Sequence, residues 1–192
     1  MLRIAAGLEP IIEGGEITSK YLDLLPWLVF SGFGALRSCE IVRDNEAEEA
    51  LRWTDVDGFL ERGFFKVRAE IAKGGTDPRN PKLTHTIEAI KVWVGYIKRR
   101  NEFVCPLIAA QFNELRQSFF KEIGIKFREN GLRNSAGTYL WNYNVIDDVA
   151  QFMGNSPAIA KKHYVEDLEP GLGQQWFSIR PFEAIKNELR TA

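Results

Sequence analysis

The chain has 192 residues, 45% of them hydrophobic and 27% charged. That suits one globular domain with a core of its own and excludes a collagen-like or disordered chain. The longest charge-poor stretch, Leu24 to Leu36, has 13 residues and contains Pro26. It is too short to span a bilayer, and the first residues show no signal-peptide pattern, so a cytoplasmic protein without a membrane partner is expected. Two cysteines, Cys39 and Cys105, and two histidines, His85 and His163, occur without a CxxC or HExxH spacing. They build no disulfide framework, point to a reducing compartment and leave a histidine- or thiolate-rich metal site close to excluded.

The net charge of −1 conceals an uneven distribution. Residues 1–61 carry 5 basic and 12 acidic side chains, residues 62–133 carry 15 and 7, and residues 134–192 carry 5 and 7. A middle segment at +8 between acidic flanks can form a local surface that attracts phosphates, or simply a solvated helix face.

In chain order, residues 19–34 read as a mostly apolar helix buried on several sides, which Pro26 should kink or restart. A short helix carrying Leu36, Arg37, Glu40 and Ile41 follows, then an exposed acidic run from Arg43 to Glu49. Phe64 to Ile71 alternates with period two, as a half-buried strand does. Gly74, Gly75, Asp77, Pro78, Asn80 and Pro81 form a dense turn signal, and a return strand near Lys82–Thr84 would close a hairpin. His85 to Arg100 has the helical spacing Ile87, Ile90, Val94, Ile97. Further helices are expected at 107–122, 134–142, 145–153, 157–164 and 182–190, with Trp53, Trp93 and Trp141 in the core. The expected fold is mainly α with a small antiparallel β-sheet, in a single domain over residues 1–192.

Five pieces stand in a distinctive order. Gly34-Ala35-Leu36-Arg37-Ser38-Cys39-Glu40-Ile41 precedes Leu51-Arg52-Trp53-Thr54-Asp55-Val56-Asp57, and then comes the hairpin with Lys73 at its turn. Asn130-Gly131-Leu132-Arg133-Asn134-Ser135-Ala136-Gly137-Thr138-Tyr139 comes much later. Asn155, in Gly154-Asn155-Ser156-Pro157, lies 22 residues after Arg133, and Tyr164 lies nine after Asn155. This arrangement resembles the catalytic domain of the tyrosine recombinases, the phage-integrase family, over roughly residues 20–166.

The resemblance implies a function and a role for each residue. Arg37 and Arg133 would clamp the two non-bridging oxygens of a scissile phosphodiester, a task suited to a planar, always-charged donor fork. Tyr164 would attack the phosphorus to give a 3′-phosphotyrosyl intermediate and a free 5′-hydroxyl, keeping the bond energy so that no cofactor or metal is needed. Lys73 matches the hairpin lysine that protonates the leaving oxygen, with Lys66 and Lys82 as rivals. Glu40, one helical turn after Arg37, would brace that arginine or its helix. Taken singly, each residue has an ordinary structural use: a surface ion pair for Arg37, a turn lysine for Lys73, a half-buried core tyrosine for Tyr164.

The chain departs from the family where histidines are usual. Asparagine stands three residues before the second arginine, at Asn130, and after Gly154, at Asn155; Asn134 also replaces a histidine that often follows the arginine. Asparagine donates hydrogen bonds to phosphate but takes no proton near neutral pH. Two readings follow: a slower enzyme in which Asn130 and Asn155 keep the phosphate-binding role, or a relative that grips DNA without cutting it. His163 would point about 100° away from Tyr164 on a helix, and His85 reads as an ordinary helix-start residue. Met1 lies about 36 residues before Arg37, too few for the amino-terminal core-binding domain of the family, so a fragment or a truncated gene is expected. The expected partners are double-stranded DNA and further copies of the chain, as a tetramer on DNA. The tail Gly171 to Ala192, with Trp176, Phe177 and Phe182, either packs on its own core or docks on a neighbouring copy.

Overall fold

The computed structural model describes residues 1–5, 7–9, 18–72, 78–142, 146–165 and 168–181, with the backbone alone at 146 and 147. The molecule is mainly helical. Among the described residues the α-helices are α1 (Leu2–Ala5), α2 (Leu25–Gly32), α3 (Ser38–Ile41), α4 (Thr84–Val94), α5 (Ala109–Glu122), α6 (Gly131–Trp141), α7 (Ile146–Met153), α8 (Pro157–Tyr164) and α9 (Leu172–Phe177). None of them is long and apolar enough to cross a membrane.

The centre of the fold is α2. Pro26 sits in its first turn, where no backbone N–H is required, so it restarts the helix after a 3-10 turn at Leu22–Leu24 instead of kinking it. Every residue of α2 is buried, as expected of a helix that is apolar all round. Trp27 meets Phe112 of α5 edge-on at 5.1 Å, Phe30 meets Phe65 at 5.6 Å, and Phe33 lies 6.2 Å from Phe177 of α9. The helix is therefore clasped from three sides.

The chain leaves α2 through a tight turn that fixes where α3 begins. A Cβ on Gly34 would stand 2.6 Å from the Phe30 carbonyl, so only glycine fits there. Ala35 takes the left-handed conformation at φ 51° while fully buried, a conformation that costs a non-glycine residue roughly 1–2 kcal/mol. The Leu36 N–H donates to the Phe30 carbonyl, and the Ser31 hydroxyl donates to the Leu36 carbonyl.

The predicted hairpin is reduced to one antiparallel bridge between Val67 and Arg79. Each of these residues donates its N–H to the other's carbonyl, at 2.8 and 2.9 Å, and the Phe65 N–H reaches the Pro81 carbonyl. Pro78 and Pro81 carry no N–H, and Ile71 and Ala72 already turn back onto the Arg68 carbonyl, so no ladder extends from the bridge. Among the described residues the expected small sheet is represented only by isolated bridges: this one, an antiparallel bridge of Arg52 with Phe103 and a parallel bridge of Arg43 with Ile108. Lys73 and the turn glycines lie outside those residues, as do the predicted helix at 182–190 and Phe182.

Helix α4 ends at Val94, six residues before the predicted Arg100. Tyr96 and Ile97 close back onto the Trp93 and Val94 carbonyls, and the following arginines leave to pair with Asp57 and Asp23. Trp53 and Trp93 are in the core as expected, whereas Trp141 is only half-buried. Helix α9 was not predicted. It packs on the molecule's own core: Trp176 stacks on Tyr139 at 4.7 Å and donates its indole N–H to the Gly32 carbonyl.

Helices α6, α7 and α8 form a compact corner. Gly137 of α6 is the contact point, because a Cβ there would lie 2.7 Å from Met153 Sδ and 2.8 Å from Tyr164 Cδ1. A Gly137→Ala change gains helix propensity of about 1 kcal/mol but forces this corner apart. A net loss of about 1–3 kcal/mol in unfolding free energy is expected from urea titration, the usual range for overpacking. An unchanged midpoint would mean that Met153 moves aside without resistance.

Candidate functional site

Arg37 is the residue on which α3 begins. Its backbone N–H donates to Glu40 Oε2 at 2.8 Å, and its Nη1 donates to Glu40 Oε1 at 3.3 Å. Glu40 is 0% exposed, and a carboxylate so placed needs a full set of donors. Arg79 supplies them as a bidentate fork, Nη1 to Oε1 and Nη2 to Oε2, both at 2.8 Å. Arg79 in turn is only 8% exposed in its side chain and donates Nε to the Phe152 carbonyl of α7. Burial pushes the Glu40 carboxyl upward, but the hydrogen bonds and charge of Arg79 outweigh it and hold the group below its ordinary value.

Arg133 lies in the first turn of α6 and is 4% exposed. Its Nη1 donates to the carbonyl of the left-handed Ala35 and its Nη2 to the Met153 carbonyl at 2.7 Å. Burial pushes its pKa down to about 10, and the positive charge of Arg37 adds to the effect. Asn130 precedes the same helix at φ 56°, a left-handed position that asparagine tolerates better than most residues.

Asn155 joins this cluster to the tyrosine. A guanidinium can only donate, so the Arg37 Nη2 contact at 3.1 Å fixes the Asn155 carbonyl oxygen toward Arg37. The amide nitrogen therefore faces Tyr164 and donates to its hydroxyl oxygen at 3.1 Å. Tyr164 is the last residue of α8 and 5% exposed, yet it lines a large open cleft. That cleft, about 750 Å³, is also lined by Arg37, Arg133, Asn130 and Asn134. His163 lines it too, with its ring 6.3 Å from that of Tyr164, while the hydroxyl itself meets Asn155.

No family model, curated protein or solved structure matches the chain. The geometry must therefore carry the argument. Five of the six predicted site residues, Arg37, Asn130, Arg133, Asn155 and Tyr164, are brought to one place by α3, α6, the α7–α8 turn and α8. The sixth, Lys73, lies outside the described residues. Glu40 braces Arg37, as expected. The sequence reading missed Arg79, which lies in a stretch read only as turn signal; its position in the +8 segment was the available hint.

Arg37 and Arg79 hydrogen-bond the Glu40 carboxylate and Arg133 acts on it through its charge alone, so among the described residues three guanidinium groups stand around one carboxylate, an excess of two positive charges. Among the described residues the Arg133 side chain bonds to the Ala35 and Met153 carbonyls and forms no salt bridge. Such a cluster suits an anion that can accept several hydrogen bonds at once, and a phosphate group is the simplest. A tyrosine hydroxyl stands one amide away.

Removing one partner of the Glu40–Arg79 pair leaves a charge stranded in the interior. Arg79→Ala should cost about 3–5 kcal/mol in urea unfolding, and Glu40→Gln a comparable amount, because it leaves the buried Arg79 guanidinium without its counter-charge. Glu40's native pKa is lowered, so its ionisation contributes stability that is fully present above its ordinary value of 4.5 and is lost as pH falls through the lower native value. The stability difference between wild type and Glu40→Gln should accordingly be constant above that pH and shrink below it. A difference that grows on acidification would show that the carboxyl is protonated in the folded protein.

Proposed function

We propose that the chain is the catalytic domain of a tyrosine-type DNA strand-exchange enzyme, similar to the phage integrases and acting for a mobile element in DNA integration or recombination. In this reading it works in the cytoplasm, as a tetramer on duplex DNA, with a family-like α+β fold in which the Val67–Arg79 bridge is the root of a hairpin carrying Lys73. The observation that carries the reading is the positive excess at Arg37, Arg79 and Arg133 beside Tyr164, bridged by Asn155.

The reaction follows from those positions. A scissile phosphodiester enters the cleft and its non-bridging oxygens accept hydrogen bonds from Arg37 and Arg133, with Asn130 and Asn155 adding amide donors. The Tyr164 oxygen attacks phosphorus, its proton passing to water or to a phosphate oxygen, and the bond from phosphorus to the 5′-oxygen breaks. The 5′-oxygen leaves as a hydroxyl after taking a proton from Lys73. The arginines hold the added negative charge of the pentacoordinate transition state from positions already fixed by Glu40, Ala35 and Met153. Rejoining is the same displacement in reverse, with a new 5′-hydroxyl as nucleophile.

A second reading is a relative that binds DNA without cutting it. One observation favours it: the tyrosine hydroxyl meets an amide, which donates but takes no proton. A positioned general base is worth about 10²–10⁴-fold, so its loss slows the chemistry without removing the other contributions.

A nicked suicide duplex of the DNA flanking the coding sequence, incubated with the protein and run on a denaturing gel, separates the two. A covalent band is expected in the wild type, and Tyr164→Phe should abolish it while duplex affinity stays within about threefold. Arg133→Gln should reduce the band's rate of formation by about 10²–10³-fold, as loss of a fixed transition-state donor does. Salt-dependent binding with no band would make the chain a DNA-binding module. A band that survives Tyr164→Phe would remove tyrosine from the chemistry.

A further inference from the structure

The cleft that holds Tyr164 has a second wall that the reaction above does not use. It is formed by Phe112, Asn113 and Arg116 of α5 together with Phe127. Arg116 is clamped between two rings, with its guanidinium carbon 4.1 Å from the centre of Phe127 and 5.1 Å from that of Phe112. Its Nε is buried with no hydrogen-bond partner. Its terminal nitrogens form no ion pair or hydrogen bond among the described residues, and the half-buried side chain lines the cleft. Asp44 and Glu129 also line the cleft, and among the described residues Glu129 is the carboxylate that acts on Arg116. Burial lowers the Arg116 pKa and Glu129 offsets this only in part.

A guanidinium with one nitrogen buried and unpaired is costly to hold without an anion, and aromatic stacking alone does not replace the lost hydration of that edge. What stacking does supply is orientation: the planar fork is held in one rotamer with its donor edge in the cleft, so little side-chain freedom is lost when an anion arrives. Arg37 and Arg133 line the same space. At about 750 Å³ the cleft is far larger than one phosphate group requires.

We infer that Arg116 is a second phosphate-binding position, holding a backbone phosphodiester of the same strand beside the scissile one. The inference rests on the DNA reading above and deepens it, since it assigns the α5 wall to the flanking backbone and leaves bond cleavage to the Tyr164 side. Arg116 is a binding residue only, and it touches no reacting atom.

The test is a salt titration of the full chain on a random-sequence duplex, with no knowledge of the target required. Each phosphate contact adds about 0.9 to the slope of log affinity against log salt. Arg116→Gln should lower that slope by about 0.9 and weaken binding about tenfold at roughly 0.1 M salt, whereas Lys121→Gln, on the same helix but off the cleft, should leave both unchanged. Arg116→Lys keeps the charge without the stacked fork and should fall between the two, which also covers the case in which the glutamine variant unfolds. Phenylglyoxal should modify Arg116 in the free wild type and be blocked by bound duplex, as read by mass spectrometry. An unchanged slope in both Arg116 variants, or modification that duplex does not block, would overturn the inference while the wild type's own salt-dependent binding left the DNA reading standing. A wild type with no salt-dependent duplex binding would overturn both.

Discussion

The Glu40 carboxylate is the point on which the site's geometry turns. It is fully buried, and two arginines from distant parts of the chain meet on its two oxygens. Burying that carboxylate is unfavourable, and the bidentate Arg79 contact offsets the cost only when the geometry is close to ideal. The same pair also ties three segments together. Glu40 fixes the start of α3 through the Arg37 N–H, Arg79 reaches α7 through the Phe152 carbonyl, and the Glu40 carbonyl accepts the Leu51 N–H. A surface pair would tolerate movement in any of these segments. A buried one does not, so the Arg37 guanidinium has one position available to it.

Arg133 is held by a different device. Its hydrogen bonds go to backbone carbonyls whose positions depend on the turn after α2 and on the end of α7. The left-handed Ala35, the glycine-only contact at Gly34 and the Ser31 hydrogen bond fix the first of these carbonyls. Backbone strain of this kind persists where the surroundings over-determine it, and here those surroundings include the fully buried α2. The two arginines thus converge from independently anchored elements, the arrangement that electrostatic stabilisation of a transient charge requires.

The site was more legible in the sequence than the fold around it, and the reason is physical. Arg37, Arg133 and Tyr164 are read through the order and spacing of motifs in a resemblance to the tyrosine recombinases, each short motif lying at a helix terminus whose direction the local sequence fixes. Arg79 escaped because its role depends on a carboxylate 39 positions earlier, and nothing local in Asp77-Pro78-Arg79-Asn80-Pro81 distinguishes an ion-paired arginine from a turn residue. The period-two alternation of Phe64 to Ile71 correctly marks Phe65 and Val67 as inward-facing, since both are buried. Alternation reports burial, not pairing, and the prolines on the opposite segment decide how far pairing extends. Helix α9 is six residues long with no amphipathic repeat to reveal it, and it is held by tertiary contacts of Trp176 and Phe177 instead.

The asparagine at position 155 has a consequence for the electrostatics of the whole cluster. Its amide oxygen accepts from Arg37 while its nitrogen donates to Tyr164, so one neutral side chain satisfies both neighbours. An imidazole in the same place can do this only while neutral, with one nitrogen accepting and the other donating. On protonation, near its ordinary pKa of about 6.5, both nitrogens become donors and a fourth positive charge faces Arg37. Beside three guanidiniums that charge is disfavoured, and the contact with Arg37 turns from attraction to repulsion. An amide carries the same pattern of donors and acceptors at every pH in the physiological range. The link between the arginine cluster and the tyrosine is therefore insensitive to pH by construction.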